Sequence, residues 1–427
     1  VTARRSVAVR RLVGIFAACV AAAALVPGCS SANTAAPTLA DVRSLLARHA
    51  AAVLHHDRAA YAQDLDSADK AASFRTRQLD AYANLVRLPL QSWSYRIESR
   101  TQEHAAEAAA KRRYGSGAII VQIALRYALR GVDRIPTSHD LWWTFVRHNG
   151  RVVIAADDGL ANAGGASWQG PWDFGPLTVL RGAHSLVLGH ADNAAALPQI
   201  KATVEAAVPV VSSVWGTAWS QDVAVVVPDS DQELLAEAGQ SSQLTTQIAA
   251  AAVSDGADPL SGAVYGQRLI VNPAALARLR TLGQRITIQH EITHIASARS
   301  TTGASPQWLV EGFADYVGNL GNPQPVTTIA SELRADVRRG KVPAALPPAA
   351  QFSTDGSAAQ AYEGSWLACR LIAHLVGQSG LVRFYRLVGA SPLDPDRATA
   401  DVLRQVLHET TAQFTTRWRS YVEAQLG

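Results

Sequence analysis

The chain has no methionine and only three cysteines among its 427 residues. Cys19 and Cys29 fall in the N-terminal segment. Cys369 is then the only thiol of the remainder, where no intramolecular disulfide can form. A chain of this length buries enough core without such staples, so their absence does not exclude an exported location. Cys369 sits in the apolar run Trp366 to Val376 and is expected to be a buried small hydrophobe. The missing methionine, like the excess of alanine and of arginine over lysine, points to a GC-rich genome more than to a function. A basic cluster beyond the N-terminal segment is also lacking. The 39 basic and 35 acidic residues give +4, and Arg4, Arg5, Arg10 and Arg11 supply all of it. The rest is formally neutral, so a pI near 9.0 is no argument for a nucleic-acid partner, and none is expected. The apolar run Leu12 to Val26, 15 residues, is short for a membrane-spanning helix.

That run follows the four arginines and precedes Val26-Pro27-Gly28-Cys29-Ser30. A basic start, a short apolar stretch and a small-residue boundary are the parts of a secretory signal peptide. The boundary resembles a bacterial lipobox, which implies cleavage before Cys29 and acylation of its thiol. Pro27 departs from the small or aliphatic residue usual there, so a plain signal peptide or an uncleaved anchor stays open. The expectation is a signal peptide over 1–28 and a lipid-anchored tether over 29–38. The protein would be exported and held by a lipid on Cys29 at the outer face of the bacterial cytoplasmic membrane.

Two globular units follow. In 39–160, Leu39, Val42, Leu45, Leu46, His49 and Val53 fall at helical spacing, and a second helix is expected in the 70s and 80s. Strand signals then dominate. Trp93, Tyr95 and Ile97 alternate, as do the odd-numbered residues Ile119 to Leu129. Trp143 with Phe145, and Val152 with Ile154, supply two more strands. Helices followed by a curved antiparallel sheet resemble the NTF2-like α+β cone. That pattern carries no catalytic motif and implies an accessory domain. His55, His56 and His104 read as surface or helix residues. Residues 161–176, rich in glycine and proline, read as a linker whose Trp168, Trp172 and Phe174 dock on a neighbour.

Residues 177–427 form the second unit. Strands are expected at 177–180, 185–188 and 223–227, with a further helix after Asp229. A helix is expected over Leu197 to Trp215, with Pro198 in its first turn and Pro209 kinking or breaking it. Residues 262–272 read as one or two strand pieces ending before Pro273. Gly356 to Ala361 read as a mobile loop at a cleft mouth.

The most informative segment is Gln289-His290-Glu291-Ile292-Thr293-His294, which contains H-E-x-x-H. Ile286, Ile288, Ile292 and Ile295 are spaced as on a helix, with Arg299 and Gly303 as its stop signals. On that helix His290 and His294 stand one turn apart on one face, where two imidazoles can share a metal ion. Glu291 is turned about 100° away and can face a water without being a ligand. The segment from Trp308 to Tyr316 reads as a second helix, capped by Ser305 with Pro306 in its first position. Its Glu311 and Asp315 share a face. Glu311 could complete a His2Glu site with the fourth position open, as in catalytic zinc.

H-E-x-x-H followed by E-x-x-x-D resembles the gluzincin metallopeptidases. The stretch P-Q-W-L-V-E-G-F-A-D-Y over 306–316 is similar to the bacterial peptidase MA-like branch. The resemblance implies Zn2+ held by His290, His294 and Glu311, with Glu291 as general base. Asp315 would accept a hydrogen bond from a ligating imidazole. It also implies a thermolysin-like α+β domain, a mixed-sheet lobe beside an α-helical lobe, acting on a peptide or protein substrate. Gluzincins place an edge strand just before the zinc helix, where an extended peptide adds to the sheet. A tyrosine or histidine downstream supplies an oxyanion donor. Tyr362 is the candidate here, ahead of Tyr265, Tyr316 and His408. In the aminopeptidase branch a Gly-Ala-x-Glu-Asn motif binds the free amine. This chain has Gly262-Ala263-Val264-Tyr265-Gly266 without a glutamate, which argues against an ordinary aminopeptidase and leaves an endopeptidase, the preferred reading, or an unusual substrate open. The alternative is a non-catalytic envelope binding or scaffold lipoprotein with a structural zinc.

Overall fold

The computed structural model describes residues 35–101, 103–161, 164–238, 248–259, 261–353 and 357–427. The expected signal peptide and Cys29 lie outside them. The chain starts with helix α1 (Leu39–Leu54), then α2 (Arg58–Gln63) and α3 (Ala72–Leu85). The Thr38 hydroxyl accepts from Asp41 N and the Asp41 carboxylate accepts from Thr38 N, a reciprocal cap that fixes where α1 begins. Strand β1 (Leu90–Arg100), helix α4 (His104–Tyr114), and strands β2 (Ile119–Leu129), β3 (Thr137–His148) and β4 (Arg151–Ala156) follow. The four strands form an antiparallel sheet in sequential order. The face of α1 that carries Val42, Leu45, Leu46, His49 and Val53 is buried, and the helix lies against β1.

A second sheet is built from β5 (Leu177–Arg181), β6 (Ser185–His190), β7 (Val223–Val227), β8 (Ala250–Val253) and β11 (Arg268–Val271), in the order β5-β6-β7-β11-β8. The three central strands are parallel and both edges antiparallel. Helix α5 (Leu197–Trp215) crosses from β6 to β7, and α6 (Asp231–Ala238) follows β7. Pro209 neither ends nor breaks α5. It is exposed, so the helical hydrogen bond it removes lies on the wet side, where water can replace it. A small hairpin, β9 (Gly256–Ala257) with β10 (Val264–Tyr265), lies between β8 and β11. The edge nearest the later helices is therefore β8, while the strand read from 262–272 pairs on both sides.

Every residue of β6 and β7 is buried, as expected of strands covered on both faces. Val187, Val225, Val227 and Leu269 face a helical core. Leu186, Leu188, Ala224 and Val226 face the other way and share a core with Trp93, Tyr127 and Trp172. The first sheet thus covers the second. Buried Arg268 crosses this junction to Asp133, with contacts of 2.8 and 3.2 Å. Losing one partner of such a pair costs about 3–5 kcal/mol. The segment read as a linker docks on the first unit. Trp168 stacks on His139 at 3.7 Å and Trp172 meets Trp93 at 5.3 Å, whereas Phe174 is only partly buried.

The rest is helical: α7 (Pro273–Ala277), α8 (Thr281–Ser297), α9 (Gln307–Gly318), α10 (Val326–Ile329), α11 (Ser331–Arg338), α12 (Ala358–Gly389), α13 (Pro395–Leu407) and α14 (Thr411–Leu426). The chain is a mixed α+β protein. Helix α12 is interrupted at Gly377, whose φ of 77° suits a residue without Cβ. From Ala358 onward the stretch expected as a loop is helix instead, and 354–356 are outside the described residues. Cys369 is buried in α12. Among the described residues no helix is long and apolar enough to cross a membrane.

Candidate metal centre

Helix α8 buries Ile288, Ile292 and Ile295 and so turns His290 and His294 toward α9. Helix α9 starts at Gln307, one residue later than its sequence signals suggest. Pro306, with ψ of 146°, is the residue before the helix, and the Ser305 hydroxyl is engaged by Thr302 N instead. Leu309, Phe313 and Val317 bury the opposite face of α9. Gly312 lies against α12, where a Cβ would sit 2.4 Å from the Ser365 carbonyl oxygen. That approach explains a glycine directly after Glu311.

The two helices bring His290, His294 and Glu311 together. His290 Nε2 lies 3.0 Å from His294 Nε2, and Glu311 Oε2 lies 3.3 and 3.5 Å from the two nitrogens. Donors on a tetrahedral ion with bonds of roughly 2.0–2.1 Å stand about 3.3–3.4 Å apart, so the triangle matches zinc. Asp315 Oδ1 lies 2.8 Å from His290 Nδ1, which assigns the ring proton to Nδ1 and leaves Nε2 a lone pair. Burial alone would lower His290, but the charge and hydrogen bond of Asp315 and the contact with Glu311 more than offset it and hold it well above its ordinary range. Burial would raise Glu311. Its hydrogen bonds to both histidines prevail and hold it far below the usual carboxylate range. Both shifts express one fact: lone pairs converge here and attract positive charge. The donor set fits Zn2+.

Glu291 stands outside the triangle. Its Oε2 accepts from Ala252 N of the edge strand β8 at 2.8 Å. Tyr362, near the start of α12, has its ring 6.5 Å from that of His290 and packs on Phe352 at 5.1 Å. Burial, then the charges of Glu311, Asp315 and Glu291, raise its hydroxyl pKa, so it stays protonated and able to donate. Tyr316 is half-buried on α9, Tyr265 lies on β10 against Gly256, and His408 is the exposed left-handed residue ending α13. Beside His294 a cleft of about 390 Å³ is lined by Ala252, Val253, Ile295 and Val310, and no acidic residue is among its described walls.

Two features escaped the sequence reading. Gln307 Nε2 donates to Glu311 Oε1 at 2.7 Å, and its position one turn before Glu311 could have marked it. A second cluster lies beyond the ends of β6 and β7. His190 Nε2 is 2.9 Å from Glu233 Oε1, Asp229 N donates to Glu233 Oε2 at 3.0 Å, and the Asp229 carboxylate is nearby.

No protein-family model and no curated protein matches the chain. Solved structures do. A two-domain M1 zinc metallopeptidase bound to L-arginine is 14% identical, with 66% of this chain and 60% of that one covered and a TM-score of 0.35. An M1 zinc metallopeptidase of Deinococcus radiodurans bound to a Tyr-Ser-Ala substrate is 13% identical, with 78% and 61% covered and a TM-score of 0.37. Native yeast LTA4 hydrolase is 11% identical, with 78% and 60% covered and a TM-score of 0.36. The match thus spans about 60% of the first of these structures. The likenesses are slight, and the reading of the site rests on its own geometry.

Proposed function

We propose that the protein is a zinc-dependent peptidase that cleaves bonds within a peptide chain. The observation that carries this reading is the triangle of His290, His294 and Glu311 donors, beside a cleft that His294 lines. When bound, zinc supplies Lewis acidity, polarising a carbonyl and acidifying water. The protein's own groups do the rest. Asp315 fixes the His290 tautomer. The outward edge of β8 offers backbone groups to an extended peptide, and a substrate strand that took Ala252 N–H would free Glu291. Glu291 then accepts the proton of the attacking water and returns it to the departing nitrogen. The Tyr362 hydroxyl donates to the developing oxyanion. No acidic residue is among the described walls of that cleft apart from the Glu291 and Glu311 carboxylates that touch its Ala252 and His294, which supports an internal bond as the target.

In the same reading residues 39–160 are an NTF2-like accessory domain, 177–427 a gluzincin domain, and acylated Cys29 keeps the protein on the outer face of the cytoplasmic membrane. Zinc is measured by elemental analysis beside the His290→Ala/His294→Ala variant, and cleavage on a library of internally quenched peptides. About one zinc per chain and cleavage lost in Glu291→Gln are expected. No zinc after reconstitution at neutral pH would overturn the reading. Zinc without cleavage of any peptide would favour a scaffold.

A further inference from the structure

The first unit holds a cavity of about 300 Å³, bordered by α3, β1 and residues of 157–161 and 165–173. That is the lower end of the range for small-molecule sites. Its wall is a run of aromatic rings. Trp143 meets Tyr95 at 5.3 Å, Tyr95 meets Trp93 at 6.1 Å, Trp93 meets Trp172 at 5.3 Å, and Trp172 meets Trp168 at 5.5 Å. Tyr61 adds a sixth ring. Protein interiors are close-packed, so a space of this size beside so many rings is uncommon.

The charges decide what. Of the charged residues on the wall, Arg77 pairs with Asp157 at 2.7 Å and Asp158 with Arg113 at 3.3 Å. Asp173 makes no ion pair among the described residues. Its carboxylate accepts from Gly170 N at 3.0 Å. Burial pushes its carboxyl up to about 7. An anion would be repelled by the ionised carboxylate, and beside a neutral molecule Asp173 would relieve its burial by taking up a proton, whereas an ammonium ion keeps it ionised and paired. A cation is held by ring faces and carboxylate alike.

We propose that this cavity binds a small, freely diffusing organic ammonium ion, its alkyl groups against Trp93, Tyr95 and Trp143 and its charge toward Asp173. The site is separate from the metal centre and shares no wall residue with the cleft beside His294.

The test uses the full chain, with tryptophan fluorescence and calorimetry. The probes are choline, as its chloride, and its neutral isostere, in which carbon replaces the quaternary nitrogen. Choline is expected to bind saturably and at least roughly tenfold more tightly than the isostere. Asp173→Asn keeps an oxygen for Gly170 N–H. It should weaken choline by a similar factor and leave the isostere unchanged. Equal affinity for the two probes, or no saturable binding of choline, would overturn the proposal. That comparison is made on the unaltered protein, so it holds even if the variant fails to fold. Unchanged choline affinity in a folded Asp173→Asn would overturn it equally.

Discussion

Two clusters in the same half of the molecule are made of the same side-chain types and differ in what remains unsatisfied. Around His190 both Glu233 oxygens are engaged, Oε1 by the ring Nε2 and Oε2 by Asp229 N, so His190 and Glu233 form a buried pair, while His190 Nδ1 has no hydrogen-bond partner among the described residues. Around His290 the proton on Nδ1 is committed to Asp315, and three acceptors from two helices face one another within 3.5 Å. What sets the His290 cluster apart is the three acceptors brought within 3.5 Å of one another, the spacing that a shared ion needs.

The contrast can be broken at either end. The largest effect is expected from His290→Ala/His294→Ala, which should take bound zinc from about one per chain to none, while His190→Ala leaves zinc content unchanged. Elemental analysis of both variants decides it, and equal losses would erase the distinction. Next comes Glu291→Gln. It should lower kcat/KM by about 10²–10⁴-fold with zinc retained, read on a cleaved peptide. Third is Glu233→Ala, which strands His190 inside the fold and should cost about 3–5 kcal/mol in urea unfolding with no change in zinc content. Asp315→Asn should follow, weakening zinc by about 10–100-fold in a chelator competition.

The smallest effect is one of pH. Burial lowers His190, but Glu233 raises it more, so its folded value lies above the ordinary one. The stability from its charged form is therefore complete below about 6.5 and fades as pH rises through the folded value. The stability gap between the parent and Glu233→Ala should narrow as pH rises from 6 to 9. A gap that widened would show that His190 is neutral in the fold.

Much of this half was readable because its signals are local. Helix α5 and strand β7 run over the residues that their apolar pattern marks, and the H-E-x-x-H turn and the Glu311–Asp315 turn each lie within one helix. What was hidden depends on distance along the chain. Strand β8 is Ala250-Ala251-Ala252-Val253, without the β-branched alternation that marks a strand, and gains its identity only by pairing with β11. Alanine-rich α4 carries no strong amphipathic stripe. The His190–Glu233 pair spans 43 positions and Arg268–Asp133 spans 135, separations at which no spacing rule applies. The aromatic cavity likewise collects rings from Tyr61 to Trp172.

The core shared by the two sheets has a consequence for dissecting the protein. A recombinant fragment beginning at residue 177 would carry Leu186, Leu188, Ala224 and Val226 as a bare apolar plate in water and would self-associate. A protease cut between 161 and 176 would leave both halves clasped. Selection acting on the half with the candidate metal centre must therefore also preserve side chains such as Trp93 and Trp172, and the two halves are bound to change together.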